Sequence, residues 1–292
     1  MKLSTVTIQS IQNEPSKKLP PGVELIGSPL EWKETKGEDI KVAVLDTGRP
    51  DHIDIEIKES INLTNDRDDK DRQGHATHVC GSVAANGKIM GVAPEIDLYT
   101  AKVLSDSGNG NHRWVAEGIE WCIEKGVHVI NLSLGAPTGS RRLRRAVEKA
   151  HRRGIVLIAA AGNDGKEKGK NTVGYPARYK QCIATAATDK DIERADFSSV
   201  GKEVEVCSFG ANTESTYLNN SYSKLDGTSM AAPHIAGAAA LLQAKSLLRL
   251  EKLSDPEQIR YILRIMSKDL GKPGRNEKYG FGFFSFTYPN SL

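Results

Sequence analysis

Six short apolar runs constrain the fold of this 292-residue chain more than any other feature of its sequence. They are rich in Val, Ile and Ala and cover residues 40–46, 96–104, 127–135, 154–162, 182–188 and 203–210. Helix-like stretches alternate with them at residues 75–85, 111–126, 141–154 and after Ser229. Continuous apolar runs are typical of strands buried on both faces, as in a parallel sheet covered by helices. We therefore predict an α/β fold, a doubly wound and mostly parallel sheet with helices on both faces.

The chain is expected to form a single domain preceded by a short extension. Its length suffices for one large α/β domain with a sizeable core. Residues 1–22 are polar, contain Pro15, Pro20 and Pro21, and show no core periodicity. We assign residues 1–22 to an N-terminal extension on or near the surface, and residues 23–292 to the folded domain.

Charge and hydropathy argue against two classes of partner. The 40 basic residues nearly balance the 37 acidic ones, and the resulting net charge of +3 does not favour a nucleic-acid partner. The basic cluster at 141–145 lies in a stretch whose apolar residues recur at helical spacing, which indicates a solvated helix face. No run approaches the roughly 20 apolar residues of a membrane span, so we expect no membrane association.

The cysteines and the N-terminal segment predict the compartment. Cys80, Cys122, Cys182 and Cys207 are widely separated and lie mostly in apolar strings. This pattern fits buried free thiols in a reducing compartment better than a disulfide framework or a metal cluster. The segment at 1–18 also lacks the continuous apolar region of a secretory signal. We therefore expect a cytoplasmic location.

Four polar residues stand near the carboxyl ends of predicted strands or at helix starts, where sites form in parallel sheets. Asp46 ends the run at 40–46, and Asn163 follows the run at 154–162. His75 and Ser229 each follow a glycine turn closely. Taken singly, each has an ordinary structural role as a cap, a polar helix-start residue or a loop former. Their combination is what indicates chemistry.

Together these residue types meet the requirements of acyl transfer. A serine hydroxyl becomes a nucleophile when an imidazole takes its proton, and a carboxylate fixes the tautomer of that imidazole. Free N–H groups at a helix N-terminus and an asparagine amide can both donate to a developing oxyanion. We expect Pro233 to be tolerated because it lies near the start of the last helix, where N–H groups have no intrahelical partner.

The surrounding motifs resemble those of the subtilisin-type serine proteases, in family order. The resemblance covers roughly residues 23–245 and rests on VAVLDTG, GHATHVCGSVAA, GVAP, VINLSLG, AAAGN, TVGYPA and DGTSMAAPHIAGAAALL. It implies a triad of Asp46, His75 and Ser229, with Asn163 and the Ser229 N–H as oxyanion donors. The implied activity is that of a serine endopeptidase cleaving extended or unfolded polypeptides through an acyl-enzyme. The N-terminal stretch at 19–48 looks most like that of the intracellular subtilisins of spore-forming bacteria.

The resemblance also implies how a polypeptide substrate is held. Residues 132–135 would bind its backbone by β-augmentation, and Gly108 and Gly110 would form the opposite wall. The side chain before the scissile bond, P1, would enter a pocket lined by Ser133, Leu134, Gly135 and Gly174. Two glycines make that pocket roomy, which predicts a preference for large apolar P1 residues. Asp164 lies beside the pocket and would also favour a basic residue.

The expectation for metals is divided. The implied reaction needs no cofactor. Asp54 matches a calcium-ligating aspartate of the family, but the loop at 84–94 looks about three residues too short, and calcium takes 6–8 oxygen ligands. We expect this strong calcium site to be incomplete. A weaker cation site stays open, with the carbonyls of Ala177, Tyr179 and Cys182 and the side chain of Glu203 or Glu205 as candidates.

Two properties of the family's intracellular members extend to this chain as hypotheses. The first is that residues 1–22 fold back across the cleft, inhibit the enzyme and are removed on activation, although the usual blocking motif is missing. The second is a homodimer.

Two competing readings are disfavoured. A catalytically silent fold that acts as a binding module conflicts with the presence of all four polar residues. A phosphate loop after residue 162 fails because Gly165 and Gly169 enclose three residues instead of four, and Asn171 replaces the required Ser or Thr.

Overall fold

A computed structural model describes residues 1, 7–16, 18–165 and 170–288. The strands are β1 (Thr7–Gln12), β2 (Lys41–Asp46), β3 (Glu59–Asn62), β4 (Asp97–Lys102), β5 (Val129–Leu132), β6 (Val156–Ala160), β7 (Cys182–Thr188), β8 (Val204–Phe209), β9 (Thr213–Tyr217), β10 (Ser221–Asp226), β11 (Ser267–Lys268) and β12 (Phe283–Phe284). The helices are α1 (Pro21–Leu25), α2 (Ser28–Glu31), α3 (His75–Ala84), α4 (His112–Lys125), α5 (Arg141–Arg152), α6 (Thr228–Leu250) and α7 (Pro256–Ile265), with a 3-10 turn at Leu218–Asn220. Parts of the predicted extension (2–6 and 17) and of the rejected phosphate loop (166–169) lie outside the described residues.

A nine-stranded sheet in the order β11-β12-β8-β7-β6-β5-β2-β4-β3 forms the centre of the molecule. Its strands are parallel except at the edge, where β11 runs antiparallel to β12. All six predicted apolar runs contribute a strand to this sheet, and each of these strands is buried at every residue or all but one. The single α/β domain with a mostly parallel sheet is therefore confirmed.

Helix α6 lies in the core along almost its whole length. Every residue from Thr228 to Ala244 is buried, as expected for a helix that is apolar on all sides. Small residues permit this close packing: a Cβ on Gly237 would come within 2.5 Å of the Cβ of Val92. The buried helix thus presents its first turn at the sheet edge where β2, β5 and β6 end.

Helix α5 has the solvated face that its sequence predicts. Its buried residues are Leu143, Ala146, Val147 and Ala150, and Ser140 caps its N-terminus by accepting from the Leu143 N–H. Two of its arginines form ion pairs at 2.9 Å, Arg142 with Glu117 and Arg144 with Glu148. The basic cluster at 141–145 accordingly forms the outer face of this helix.

A second sheet, in the order β1-β10-β9, has no counterpart in the sequence analysis. Strand β9 is polar yet mostly buried, because its side chains bond to the helix beneath it. The Ser215 hydroxyl donates to the His78 carbonyl and the Thr216 hydroxyl to the Thr77 carbonyl, each at 2.8 Å. An apolar-run criterion cannot find a strand that is buried through hydroxyl groups.

All four cysteines are buried in the core as free thiols. Burial raises the pKa of the Cys182 thiol to about 12. No helix among the described residues is long and apolar enough to cross a lipid bilayer.

Candidate active site

The first two predicted residues, Asp46 and His75, meet at the carboxyl end of β2. Asp46 is the last residue of that strand, and His75 is the first of α3. The His75 Nδ1–H donates to Asp46 Oδ1 at 2.7 Å, and the Thr47 N–H donates to the same oxygen at 2.7 Å. Nε2 of His75 has no hydrogen-bond partner among the described residues. The carboxylate thereby fixes the ring and leaves Nε2 available as a base.

Asp71, which the sequence analysis missed, sets the start of the helix that carries His75. Its buried carboxylate accepts from the N–H groups of Gln73, Gly74 and Thr77 and from the hydroxyls of Thr47 and Thr77, all within 3.0 Å. Asp71 stands three residues before Gly74, the N-cap residue of this helix, and so lies outside the position at which a sequence signals a cap. Asp71 ties this helix end to the turn that follows Asp46.

Ser229 is the second residue of α6 and is fully buried. Gly227 leaves room for the turn before it, since a Cβ there would lie 3.3 Å from Asn163 Nδ2 and 3.4 Å from the Met230 sulfur. The Ser229 hydroxyl donates to the Ser133 carbonyl at 3.1 Å. The hydroxyl is therefore hydrogen-bonded to the backbone of the residue that follows β5.

Pro233 corrects one expectation. It is the sixth residue of α6, beyond the first turn, so its missing N–H deprives the Ser229 carbonyl of its usual intrahelical donor. The Ser133 hydroxyl replaces that donor at 2.8 Å and is itself oriented by the Asn131 side-chain amide at 2.9 Å. The proline is tolerated because Ser133 satisfies the freed carbonyl.

The side-chain amide of Asn163 is oriented by the residue before Ser229. Asn163 Oδ1 accepts from the Thr228 N–H at 3.0 Å and from the Thr228 hydroxyl at 2.9 Å. Since the carbonyl oxygen is held there, the Nδ2 group faces Gly227 at the start of α6. The four predicted residues thus converge on one end of the sheet.

The predicted substrate-binding residues lie on two sides of the sheet end that carries these four residues. Gly108 and Gly110 lie in a hairpin closed by the bridge between Leu104 and Gly110. Opposite them, Ser133 and Leu134 are buried directly after β5, and Gly135 precedes Ala136, whose N–H and carbonyl both pair with Tyr175. A Cβ on Gly174 would come 3.2 Å from the Ala136 carbonyl, and Asp164 is exposed nearby, beside Asn163.

The chain's own N-terminus already occupies one wall. The Gly110 N–H donates to the Met1 carbonyl at 2.8 Å, and the Met1 ammonium donates to the Gly110 carbonyl at 2.7 Å. This two-way pairing is the pattern of one added β-residue.

The sequence of this chain is similar to those of known proteins. The family model described as Subtilase family matches residues 37–282. The chain belongs to the subtilase family. Subtilisin DY of Bacillus licheniformis is 45% identical over 233 residues, which cover 78% of this chain and 85% of that protein. Subtilisin E of Bacillus subtilis (strain 168) is 41% identical over 242 residues, covering 80% of this chain and 64% of that protein. Subtilisin Savinase of Lederbergia lenta is 44% identical over 214 residues, covering 72% and 78% respectively. The protein is a subtilisin-like serine endopeptidase.

In this subtilase, Asp54 is bonded to N–H and O–H groups instead of facing other oxygens. Its carboxylate accepts from the backbone of Lys88 at 3.0 Å and Ile89 at 3.2 Å, and from the Tyr222 hydroxyl at 2.8 Å. A Cβ on Gly87 would lie 2.1 Å from Asp54 Oδ1, so the shortened loop packs directly on the carboxylate. These donors point their hydrogens where a cation would need to sit, and the group does not fit calcium.

Three of the five candidates for the weaker cation site contact arginine side chains. The Cys182 carbonyl accepts from Arg260 at 3.3 Å, and the Glu205 carboxylate pairs with Arg264 and Arg260. Glu203 faces Arg178 at 3.8 Å, and the Tyr179 carbonyl accepts from the Cys182 N–H at 2.9 Å; Ala177 lies buried in the same turn. Among the described residues, no three His, Cys, Asp or Glu side chains are grouped to hold a metal.

Two further histidines of the subtilase motifs are structural. Burial lowers the pKa of His78 to about 3 and that of His234 to about 4, so both rings are neutral at pH 7. His78 Nε2 bonds to the carbonyls of Thr213 and Ser223, which joins α3 to β9 and β10 of the small sheet. His234 Nδ1 bonds to the Met230 carbonyl one turn earlier in α6.

Proposed function

We propose that Ser229 is the nucleophile of this endopeptidase, with His75 as general base and Asp46 as the carboxylate that orients it. The observation that carries this proposal is the His75–Asp46 bond of 2.7 Å, with Nε2 left unpartnered among the described residues. His75 takes the hydroxyl proton as Ser229 attacks the scissile carbonyl, and then gives it to the leaving amine. Water releases the acyl group by the reverse sequence.

The developing oxyanion is stabilised by Asn163 Nδ2 and the Ser229 N–H. The start of α6 supplies the Ser229 N–H and the positive end of the helix dipole. Thr228 supports the role of Asn163, because it binds Oδ1 and so turns Nδ2 toward Gly227. Both donors are held in place before the substrate binds. Because they need no reorganisation during the reaction, they stabilise the transition state more strongly than solvent does.

The substrate is an extended polypeptide with a large apolar P1 residue. Support comes from the Met1–Gly110 pairing, in which the backbone of Gly110 pairs with one residue in β-fashion. Gly135 and Gly174 leave space between the two walls for a P1 side chain, while exposed Asp164 adds weaker attraction for a basic one.

The proposed function is tested on tetrapeptide p-nitroanilides that differ only in P1. We expect kcat/KM to fall in the order Phe, Lys, Ala, because about 0.8 kcal/mol is gained per buried CH₂ group. Asp164→Asn should lower kcat/KM for Lys alone. A preference for Ala, or no hydrolysis of any member by the trimmed enzyme, would contradict the proposal.

We propose that residues 1–22 act as an inhibitory extension. Met1 pairs with the Gly110 wall, and β1 pairs antiparallel with β10, the strand that leads directly to Ser229. The buried Glu214 anchors this strand, because its carboxylate accepts from the Ser16 N–H at 2.8 Å and also from the side chains of Ser16 and Gln12. The extension is therefore held at both sides of the predicted triad, whose His75 and Ser229 are buried.

Deleting residues 1–18 is expected to raise kcat/KM on a tetrapeptide substrate by on the order of tenfold or more, equivalent to about 1.4 kcal/mol of competing interaction removed. Glu214→Gln should give a smaller rise, because it weakens the anchor without removing the strand. Steady-state kinetics on the three proteins measures this. Equal rates for the full-length and shortened proteins would overturn the inhibitory role.

We further propose that no calcium ion is needed at Asp54, because the shortened loop's N–H groups and Tyr222 take the place of the cation. Excess EDTA should then leave the melting temperature unchanged, and Tyr222→Phe should destabilise by about 1.5–3 kcal/mol with or without calcium. A strong site at 100 times its Kd would contribute about 2.7 kcal/mol, so a shift of several degrees on chelation would contradict this.

The cytoplasmic location and the homodimer stay proposals. Four buried free thiols suit a reducing compartment, and cell fractionation tests that location. Light scattering on the purified protein measures the oligomeric state. The absence of nucleic-acid and membrane partners also stays a prediction.

A further inference from the structure

Lys102 is a charged side chain placed where charge is costly. It is the last residue of β4, its side chain is fully buried, and it pairs in register with Asp46 on β2. Burying an ammonium group is unfavourable unless hydrogen bonds and opposite charges compensate for the lost water. The sequence analysis gave this residue no role.

Every contact of the Lys102 amine leads to a segment of the active site. Nζ donates to the Thr47 carbonyl at 2.5 Å and to the Lys70 carbonyl at 3.2 Å. It also donates to Asp106 Oδ1 at 2.7 Å and lies 3.4 Å from Asp66 Oδ2. Two carbonyls and two carboxylates thus surround one cation.

The first two contacts fix the triad side. Thr47 follows Asp46 directly, and its own N–H donates to the Asp46 carboxylate. Lys70 precedes Asp71, the residue that caps the helix carrying His75. One ammonium group therefore joins the backbone beside the carboxylate to the backbone beside the helix cap.

The other contacts fix the substrate wall. Asp106 lies in the hairpin that carries Gly108 and Gly110, where the Gly108 N–H donates to the Ser105 carbonyl at 2.7 Å. Asp66 binds the Asp106 N–H at 2.8 Å, so it supports the same hairpin from the loop before Asp71. The hairpin is otherwise exposed at Asp106 and Ser107 and needs an anchor to keep a defined position.

We propose that Lys102 is a positioning residue that sets the substrate wall at Gly108–Gly110 in register with the triad. Without it, the wall and the triad keep their own local hydrogen bonds, and the Val103 and Leu104 N–H groups still donate to the Asp46 carbonyl at 2.9 and 3.0 Å. What is lost is the side chain that ties Thr47 and Lys70 to Asp106 in the hairpin. Buried ion pairs contribute specificity of arrangement more readily than net stability, and here the arrangement is that of a cleft. This inference rests on the proposed role of the wall in binding extended substrates.

Substrate length separates this role from a merely structural one. A tetrapeptide anilide uses the wall, whereas a one-residue acyl ester reaches only the triad and its nearest pocket. Lys102→Met replaces the side chain with an unbranched apolar one that is shorter by one atom, and so removes the charge and its hydrogen bonds. We expect kcat/KM for the tetrapeptide to fall at least tenfold more than for the ester, chiefly through KM. Assays use the enzyme without residues 1–18, so that the extension does not occupy the wall.

Asp106→Asn serves as the second variant, because Lys102→Met alone could fail to fold. It weakens the link to the hairpin and leaves the contacts to Thr47, Lys70 and Asp66 in place. We expect KM for the tetrapeptide to rise about three- to tenfold with kcat for the ester unchanged. Glu148→Gln, which removes an i,i+4 ion pair on the outer face of α5, is the matched control and should alter neither substrate.

Equal losses on both substrates, or a lowered melting temperature with unchanged kinetics, would reduce Lys102 to a fold-stabilising residue and overturn the inference. Failure of the unsubstituted enzyme to cleave the ester in a Ser229-dependent way would instead refute the proposed function. The two failures are therefore distinguishable.

Discussion

Ser229→Ala should lower kcat for a tetrapeptide anilide by about 10⁶-fold, the size of loss known for nucleophile removal in a subtilisin. The hydroxyl is the one group in the site that can form the acyl-enzyme, so neither His75 nor Asn163 can compensate for it. The remaining rate should still exceed the uncatalysed one by about 10³–10⁴-fold, because oxyanion stabilisation and substrate binding persist.

The substitution is not expected to disturb the fold. Ser229 is buried, but its hydroxyl makes a single long hydrogen bond to the Ser133 carbonyl, which loses little when the donor is removed. Ser208→Ala is the matched control: that serine is equally buried, lies on β8, and its hydroxyl has no partner among the described residues. Full activity in the Ser208 variant and unchanged activity in the Ser229 variant would refute the assignment of the nucleophile.

The second large effect is expected for Asn163→Leu. Loss of the Nδ2 donor should lower kcat by about 10²–10³-fold, a magnitude taken from the corresponding donor of a subtilisin. KM should change little, because this donor acts mainly on charge that develops in the transition state. Steady-state kinetics with full saturation separates the two constants.

Thr228→Val provides a graded comparison with Asn163→Leu. It removes the hydroxyl that binds Asn163 Oδ1 but keeps the backbone N–H that binds the same oxygen. The amide should therefore lose part of its orientation, and kcat should fall less than in the asparagine variant. A change confined to KM in Asn163→Leu would show that the amide binds the ground state instead.

Six strands of the parallel sheet could be predicted because they are apolar on both faces. The sequences of β2 and β7, for example, are apolar almost throughout and are bounded by turn residues, so these strands are expected in the core. The sheet of β1, β9 and β10 could not be predicted in this way. Its burial depends on hydroxyls that meet carbonyls of α3, and such pairing is a tertiary property with no period in the sequence.

The polar residues of the site also differ in whether the sequence could predict their roles. Asp46, His75, Asn163 and Ser229 stand at strand ends and helix starts, so their convergence follows from the topology of a parallel sheet. Asp71 could not be predicted, because it lies three residues before the N-cap position of its helix. Lys102 carried none, since a lysine at the end of a strand ordinarily reaches solvent. Its role emerges only when three distant loops are seen around one amine.

The loop at 84–94 could be interpreted only in part. Compared with the loop of the family, its length predicts an incomplete calcium site, and this stays a prediction. The three N–H and O–H groups that bond to Asp54 could not be inferred, because Tyr222 comes from a strand that the sequence did not predict.

Covalent labelling tests the central claim most directly. The enzyme without residues 1–18 is treated with a fluorophosphonate carrying a large apolar group, and the adduct is located by peptide mass spectrometry. The account predicts one adduct per chain, on Ser229, formed rapidly in the unsubstituted enzyme and abolished by His75→Ala. An adduct on another residue, or a rate unaffected by His75→Ala, would contradict it.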